Sequence, residues 1–199
     1  FNGRLRVEKP ALVNWLQLAG FAVAGVNETG ARLASAVLTI GTCLLTGLIA
    51  GRVFRPDVGL WAGIVMATCL WTGVGGRAAT PDAALVFCTT LALWLFTRGT
   101  CRSADHATGW RDGPVALSPG AAAGVGVACG LAMLAKGPIG LLLPLAGLGL
   151  FCWWQAWLDP GRDGPLAGRL LSTSVTALRA LRPLVICGTA AAVAAPWYA

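Results

Sequence analysis

"GPIGLLLPLAGLGLFCWWQAWL", residues 137–158, contains no charged side chain between Lys136 and Asp159. A helix needs roughly 20 apolar residues to cross about 30 Å of hydrocarbon, with about 17–25 as the working range. The same kind of gap recurs at 10–27, 33–51, 58–76, 83–97, 113–135 and 183–199, and most of these fit that length. Across the 199 residues only 12% are charged and 56% are hydrophobic, with a mean hydropathy of +0.71. A soluble domain of this size carries about twice that charge. The chain therefore reads as an all-α, polytopic transmembrane helical bundle.

Its spans are expected at 33–51, 58–76, 80–97, 115–135, 137–158 and 183–198. The run 10–27 differs. It begins at Pro10, holds Asn14 and Gln17 and is broken by Gly20 and Gly25, which suits a helix lying in the membrane interface. A soluble helical bundle would show polar stripes at helical spacing, and 33–51 and 137–158 have none. A membrane β-barrel would need alternating ten-residue segments, which are also missing.

The net charge of +7 does not point to nucleic acid, because the arginines sit between apolar runs as loop charges rather than in a basic, aromatic-laced cluster. The seven cysteines form neither CxxC nor Cys/His spacing. Six of them (Cys43, Cys69, Cys88, Cys129, Cys152, Cys187) fall in apolar runs, where a thiol acts as a small hydrophobe. Neither zinc nor a disulfide framework follows. His106 lies in a polar loop and reads as plain surface.

Letting each gap after Arg32 cross once sorts the charges. Arg52, Arg55, Arg98, Arg102, Arg111, Arg162, Arg169, Arg179 and Arg182 gather on one side, against Arg32, Arg77 and Lys136 on the other. Positive loops face the cytoplasm, so the first side is cytoplasmic. Glu8, Lys9, Glu28, Arg32, Arg77, Asp82 and Lys136 then belong to the outer face, after Arg4 and Arg6.

Several of these have little loop around them. Lys136, in "LAKGPIG", is flanked by apolar runs, and at mid-membrane it would cost roughly 2.5–3.5 kcal/mol. It must sit near the headgroups or in a polar cavity; its plain reading is a snorkelling flank. Asp82 follows Pro81, a favoured first-turn position, and its plain reading is an acid on a positive helix end. Arg77, a few residues earlier, is close enough in sequence to pair with it. In "GVNETGARLASA", Asn27 suits an N-cap, with Glu28 and Arg32 four apart on the first turns. The GxxxG pairs Gly47/Gly51, Gly59/Gly63 and Gly126/Gly130 read as close helix packing. Glu8 and Lys9 alone would pass for a solvated flank. Together, cations and carboxylates on one membrane face suit a lipid-linked phosphate: the cation neutralises a phosphate leaving group, the carboxylate orients an acceptor or holds a divalent metal.

Five stretches, "FNGRLRVEKPALVNWL", "GVNETGARLASAV", "GGRAATPDAALVF", "GLAMLAKGPIGLLLP" and "AAPWYA", occur in order along nearly the whole chain. In this set the chain resembles the GT-C type membrane glycosyltransferases that use polyprenyl-phosphate donors, above all the bacterial aminoarabinose (lipid A) transferases and their protein O-mannosyltransferase relatives. The resemblance implies transfer of a sugar from a polyprenyl-phosphate donor to a lipid or protein acceptor at the extracytoplasmic face of the inner membrane. It implies that Lys9, Lys136 and Arg77 contact the donor phosphate. Glu8 and Asp82 would serve catalysis, with Glu8 beside a divalent cation. Ala11 stands where the family usually has a second proline, and Asn14 where it has an aromatic residue. The resemblance also places the principal catalytic acid upstream of Phe1, so residues 1–199 are expected to be part of one transmembrane domain, truncated at both ends and inactive alone. Two other classes remain in play. A transporter would place ionisable groups near the midplane at broken helices; a membrane scaffold would scatter its outer charges. The distances among Glu8, Lys9 and Asp82 separate these readings.

Overall fold

The computed structural model describes residues 11–100, 116–158 and 166–198. Glu8, Lys9 and His106 lie outside the described residues. The described chain is an antiparallel bundle of helices: α1 (Leu12–Ala24), α2 (Glu28–Val53), α3 (Pro56–Thr68), α4 (Leu70–Arg77), α5 (Pro81–Thr100), α6 (Pro119–Lys136), α7 (Ile139–Trp157), α8 (Leu166–Leu181) and α9 (Pro183–Tyr198). Proline opens α3, α5, α6 and α9, where its missing N–H leaves no partner unsatisfied and its φ already suits a helix. Asn27 caps α2 by accepting from the Gly30 amide at 2.8 Å, and Glu28 pairs with Arg32 one turn on.

Four helices, α2, α5, α6 and α7, are long and apolar enough to cross a membrane, or six spans if each of two bent pairs counts as one. The all-α polytopic architecture follows, with large apolar side chains such as Leu44, Leu48, Trp61 and Leu142 on the outside. Threonines in these helices turn their hydroxyls back onto carbonyls one turn earlier, as Thr42 to Leu38, Thr97 to Leu93 and Thr189 to Val185 do at 2.8–2.9 Å. A hydroxyl packed between helices has no water to bond, so it satisfies itself on its own helix.

Helix α6 is the centre of the bundle, touching α5, α7, α9 and α1. Its inward residues are small: Ala122, Ala128, Cys129 and Ala132 are fully enclosed, and a Cβ on Gly126 or Gly130 would collide with Ile186, Thr189 or Val193 of α9. Gly59 meets Gly47 and Gly51 across α2 and α3 in the same way. All of these glycines serve close approach in a setting where lipid removes any hydrophobic drive between helices. Among the described residues the six cysteines of the apolar runs are free thiols.

Two stretches differ from a simple reading of the gaps. The run 58–76 is two helices, α3 and α4, bent by 60° at Cys69, whose backbone is extended (φ −63°, ψ 127°). Within 159–182, read as loop, Leu166–Leu181 is helical and bends by 43° into α9. There Arg182 takes φ 52°, since Pro183 bars the preceding residue from continuing α8.

Candidate functional site at one end of the bundle

Helix polarity sorts the ends. The starts of α5 and α7 and the ends of α4, α6 and α9 lie together. At the opposite end the amide of Leu117, just before α6, donates to the Ala180 carbonyl of α8 at 3.0 Å. Asp82 is in the first turn of α5 and Lys136 is the last residue of α6. The helices are antiparallel neighbours, so these residues, 54 apart in sequence, meet: Lys136 Nζ donates to Asp82 Oδ1. Each charge also complements its own helix, the carboxylate on the positive end of α5 and the ammonium on the negative end of α6, by about 0.3–1 kcal/mol each. Both side chains stay half-exposed, at 55% and 49%. That exposure leaves them open to a ligand, which a purely structural buried pair would not be.

Two further features hold Lys136 in place. Gly137 ends α6 with φ 81°, a left-handed conformation that a side chain disfavours, and its amide donates to the Met133 carbonyl at 2.7 Å. The same carbonyl accepts the Tyr198 hydroxyl at 3.2 Å. A carbonyl has two lone pairs, so the phenol carried on α9 adds a second donor to one already bonded and ties α9 to the end of α6. The stretches "GGRAATPDA", "LAKGPIG" and "AAPWY" thus converge at one end of the bundle.

Arg77 ends α4 on this side, yet among the described residues the ion-pair partner of Asp82 is Lys136. The sequence spacing that favoured Arg77 loses to a tertiary contact. Tyr198 stood in the sequence only as part of "AAPWYA"; its bond to α6 depends on α9 packing on the Gly126/Gly130 face. The chain leading back to Lys9 and Glu8 leaves from Ala11, which is buried, at the start of α1, and α1 touches α5 and α6 as well as α2. Among the described residues no group of three or more His, Cys, Asp or Glu gathers. They therefore do not by themselves supply the donor set of a divalent cation, and no step below passes through one.

Two outcomes follow from this geometry. Asp82→Asn and Lys136→Met, each in the full-length protein, should each lower activity at least tenfold, and the double variant should not recover it. A pair serving only as a strut would couple by about 0.5–1 kcal/mol and recover in the double variant. Steady-state rates of the four proteins measure this. Tyr198→Phe, which deletes one hydrogen bond and keeps the ring, should lower the rate roughly fivefold, equivalent to about 1 kcal/mol, with protein yield and unfolding midpoint nearly unchanged.

Fold and site together define a polytopic helical membrane protein carrying a paired acid and base at one membrane face. The chain belongs to the dolichyl-phosphate-mannose-protein mannosyltransferase family, whose profile matches residues 3–190. It is 31% identical over 156 residues to an uncharacterized protein of Aquifex aeolicus, covering 78% of this chain and 32% of that protein. It is 33% identical over 173 residues to the undecaprenyl phosphate-alpha-4-amino-4-deoxy-L-arabinose arabinosyl transferase of Pseudomonas aeruginosa (strain LESB58), covering 84% of this chain and 29% of that enzyme. Among solved structures, ArnT from Cupriavidus metallidurans in the apo state shares the fold, with a TM-score of 0.71 at 24% identity over all of this chain and 32% of that one. The same protein bound to undecaprenyl phosphate superposes with a TM-score of 0.65 at 25% identity, over 96% and 31% of the two chains. The chain spans about a third of the length of these relatives.

Proposed function

We propose that this chain is part of a membrane glycosyltransferase that moves a sugar from a polyprenyl-phosphate donor to a lipid or protein acceptor at the extracytoplasmic face of the cell (inner) membrane. The observation that carries the reading is the half-exposed Asp82–Lys136 pair at the bundle end where three separate sequence stretches meet. The relatives' names, and a fold neighbour holding undecaprenyl phosphate, support the same donor class.

In this reading an acceptor oxygen attacks the anomeric carbon and the bond from that carbon to the phosphate oxygen breaks. The polyprenyl phosphate leaves with the electron pair, and a carboxylate takes the acceptor proton. The developing negative charge falls on the phosphate, so the work of this chain's cations is electrostatic. Lys9, Lys136 and Arg77 meet the phosphate; Glu8 and Asp82 orient sugar and acceptor, with Asp82 also holding the Lys136 ammonium. The acid that takes the proton is proposed to lie before Phe1. A divalent cation at Glu8 belongs to the same proposal as an addition, and chelation of the full-length protein tests it.

The two bends, at Cys69 and at Arg182, are a feature of transporters. In a transporter, however, the ionisable groups sit at the breaks near the midplane. Here Cys69 has only Thr68 and Leu70 beside it, and the second break, at Arg182, is exposed and lies at the end of the bundle where α6 starts, while Asp82 and Lys136 sit at helix ends on the other side. The test is direct: full-length protein in liposomes, given a polyprenyl-phosphate-linked aminopentose or hexose and a lipid or peptide acceptor. Stoichiometric release of polyprenyl phosphate supports the reading. No release with any donor and acceptor pair, together with donor crossing the bilayer, overturns it.

A further inference from the structure

Helix α8 has three faces. Thr173, Ala177, Ala180 and Leu181 are buried, with Ala177 and Leu181 in the same core cluster as Leu148 and Cys152 of α7. Leu171, Val175 and Leu178, at positions i, i+4 and i+7, form an exposed apolar stripe. Between and beyond these lie Arg179 and Arg182, exposed, three residues apart and without an ion-pair partner among the described residues. Arg182 lies just past the end of α8, but its amide still closes the last turn, so the two arginines leave the chain one turn apart, within the reach of two long side chains toward one phosphate by charge-assisted hydrogen bonds. The backbone of Arg182 is fully occupied. Its amide donates to the Leu178 carbonyl at 3.0 Å, and its own carbonyl accepts from Val185 at 3.0 Å and Ile186 at 3.3 Å. Its φ of 52° is one that glycine would adopt without strain, yet the position carries an arginine. Here a strained position keeps a long cationic side chain next to an apolar stripe.

We propose that the elbow between α8 and α9 binds the headgroup of an anionic phospholipid of the cytoplasmic leaflet. Arg179 and Arg182 hold its phosphate, and Leu171, Val175 and Leu178 lie along its acyl chains. An apolar stripe bordered by cations favours an anionic amphiphile over a zwitterionic one, whose phosphate is offset by its own cation. The leaflet follows from the positive-inside orientation. The proposal is independent of sugar transfer.

The test uses the full-length protein in phosphatidylcholine nanodiscs containing phosphatidylglycerol at a minor, known fraction, with retained lipids counted by mass spectrometry. Wild type should hold phosphatidylglycerol about fivefold above its bilayer fraction. Arg179→Gln with Arg182→Gln should fall to that fraction. Arg182→Gly relaxes the backbone while removing the guanidinium, so its unfolding midpoint in pure phosphatidylcholine should match or exceed wild type while enrichment is lost. Equal enrichment in wild type and in both variants would overturn the proposal. So would a wild type with no enrichment, the result expected if another protein segment covers the elbow. Vesicles carrying phosphatidylglycerol in one leaflet test the side: enrichment drawn from the outer leaflet alone refutes the cytoplasmic placement. Transfer is not the readout, so failure of the glycosyltransferase reading leaves this outcome unaffected.

Discussion

Replacing Lys9 by alanine in the full-length protein is expected to abolish sugar transfer while leaving membrane insertion intact. Lys9 precedes Ala11 by two positions in the sequence. Ala11 is buried at the start of a helix that packs on both α5 and α6, the helices that bear Asp82 and Lys136. Removing one preorganised group that stabilises a developing charge lowers the rate by about 10²–10³-fold. Insertion should not change, because the charge lies outside the apolar runs that decide it. Lys9→Arg keeps the charge but changes its geometry, and should recover part of the rate. Donor consumption in proteoliposomes and protease protection of the loops measure the two halves of the expectation. Wild-type turnover in Lys9→Ala would remove Lys9 from the site.

Gly140→Val is the second change with a large expected effect, and it acts through packing. A Cβ at Gly140 would lie 2.3 Å from the carbonyl carbon of Ala132 and 2.5 Å from its oxygen and from the Met133 nitrogen. These are backbone atoms of α6, which cannot swing aside as a side chain can. Helix α7 must then separate from α6 at the hairpin that begins with Lys136, Gly137 and Pro138. Overpacking of this kind destabilises by about 3 kcal/mol at the upper end of the usual range. Because the separation starts four residues from Lys136, transfer should fall along with stability. Gly147, whose Cβ would meet nothing within 4 Å, is the control: Gly147→Ala should be neutral. Thermal unfolding in detergent and the transfer assay check both. A wild-type midpoint in Gly140→Val would mean that α6 and α7 do not approach this closely.

Much of this was legible in the chain itself. Charge-free runs gave the bundle, because length and apolarity are what a bilayer selects; Asn27 and the glycine pairs were equally clear, since capping and close approach depend on local chemistry. The bend at Cys69 was not, for neither proline nor glycine stands at that position to announce it. Helix α8 was hidden by Arg169, Arg179 and Arg182, which look like loop charges until the apolar stripe between them is seen on a helix. The ion pair shows the limit most clearly. Asp82 and Lys136 were each identifiable as charges held near a membrane face, but the sequence offered Arg77 as the nearer partner. Only the antiparallel packing of α5 on α6 brings residues 54 positions apart together. The Tyr198 hydroxyl was missed for the same reason, since Met133 lies 65 positions away.

The most direct test of a shared phosphate site is the separation of Lys9 from Asp82 in an experimental structure of the full-length protein with a polyprenyl phosphate bound. Both side chains should lie at one leaflet, within about 8 Å of each other, the range over which charges act on one ligand at physiological salt. Placement at opposite leaflets, about 30 Å apart, would contradict a shared site.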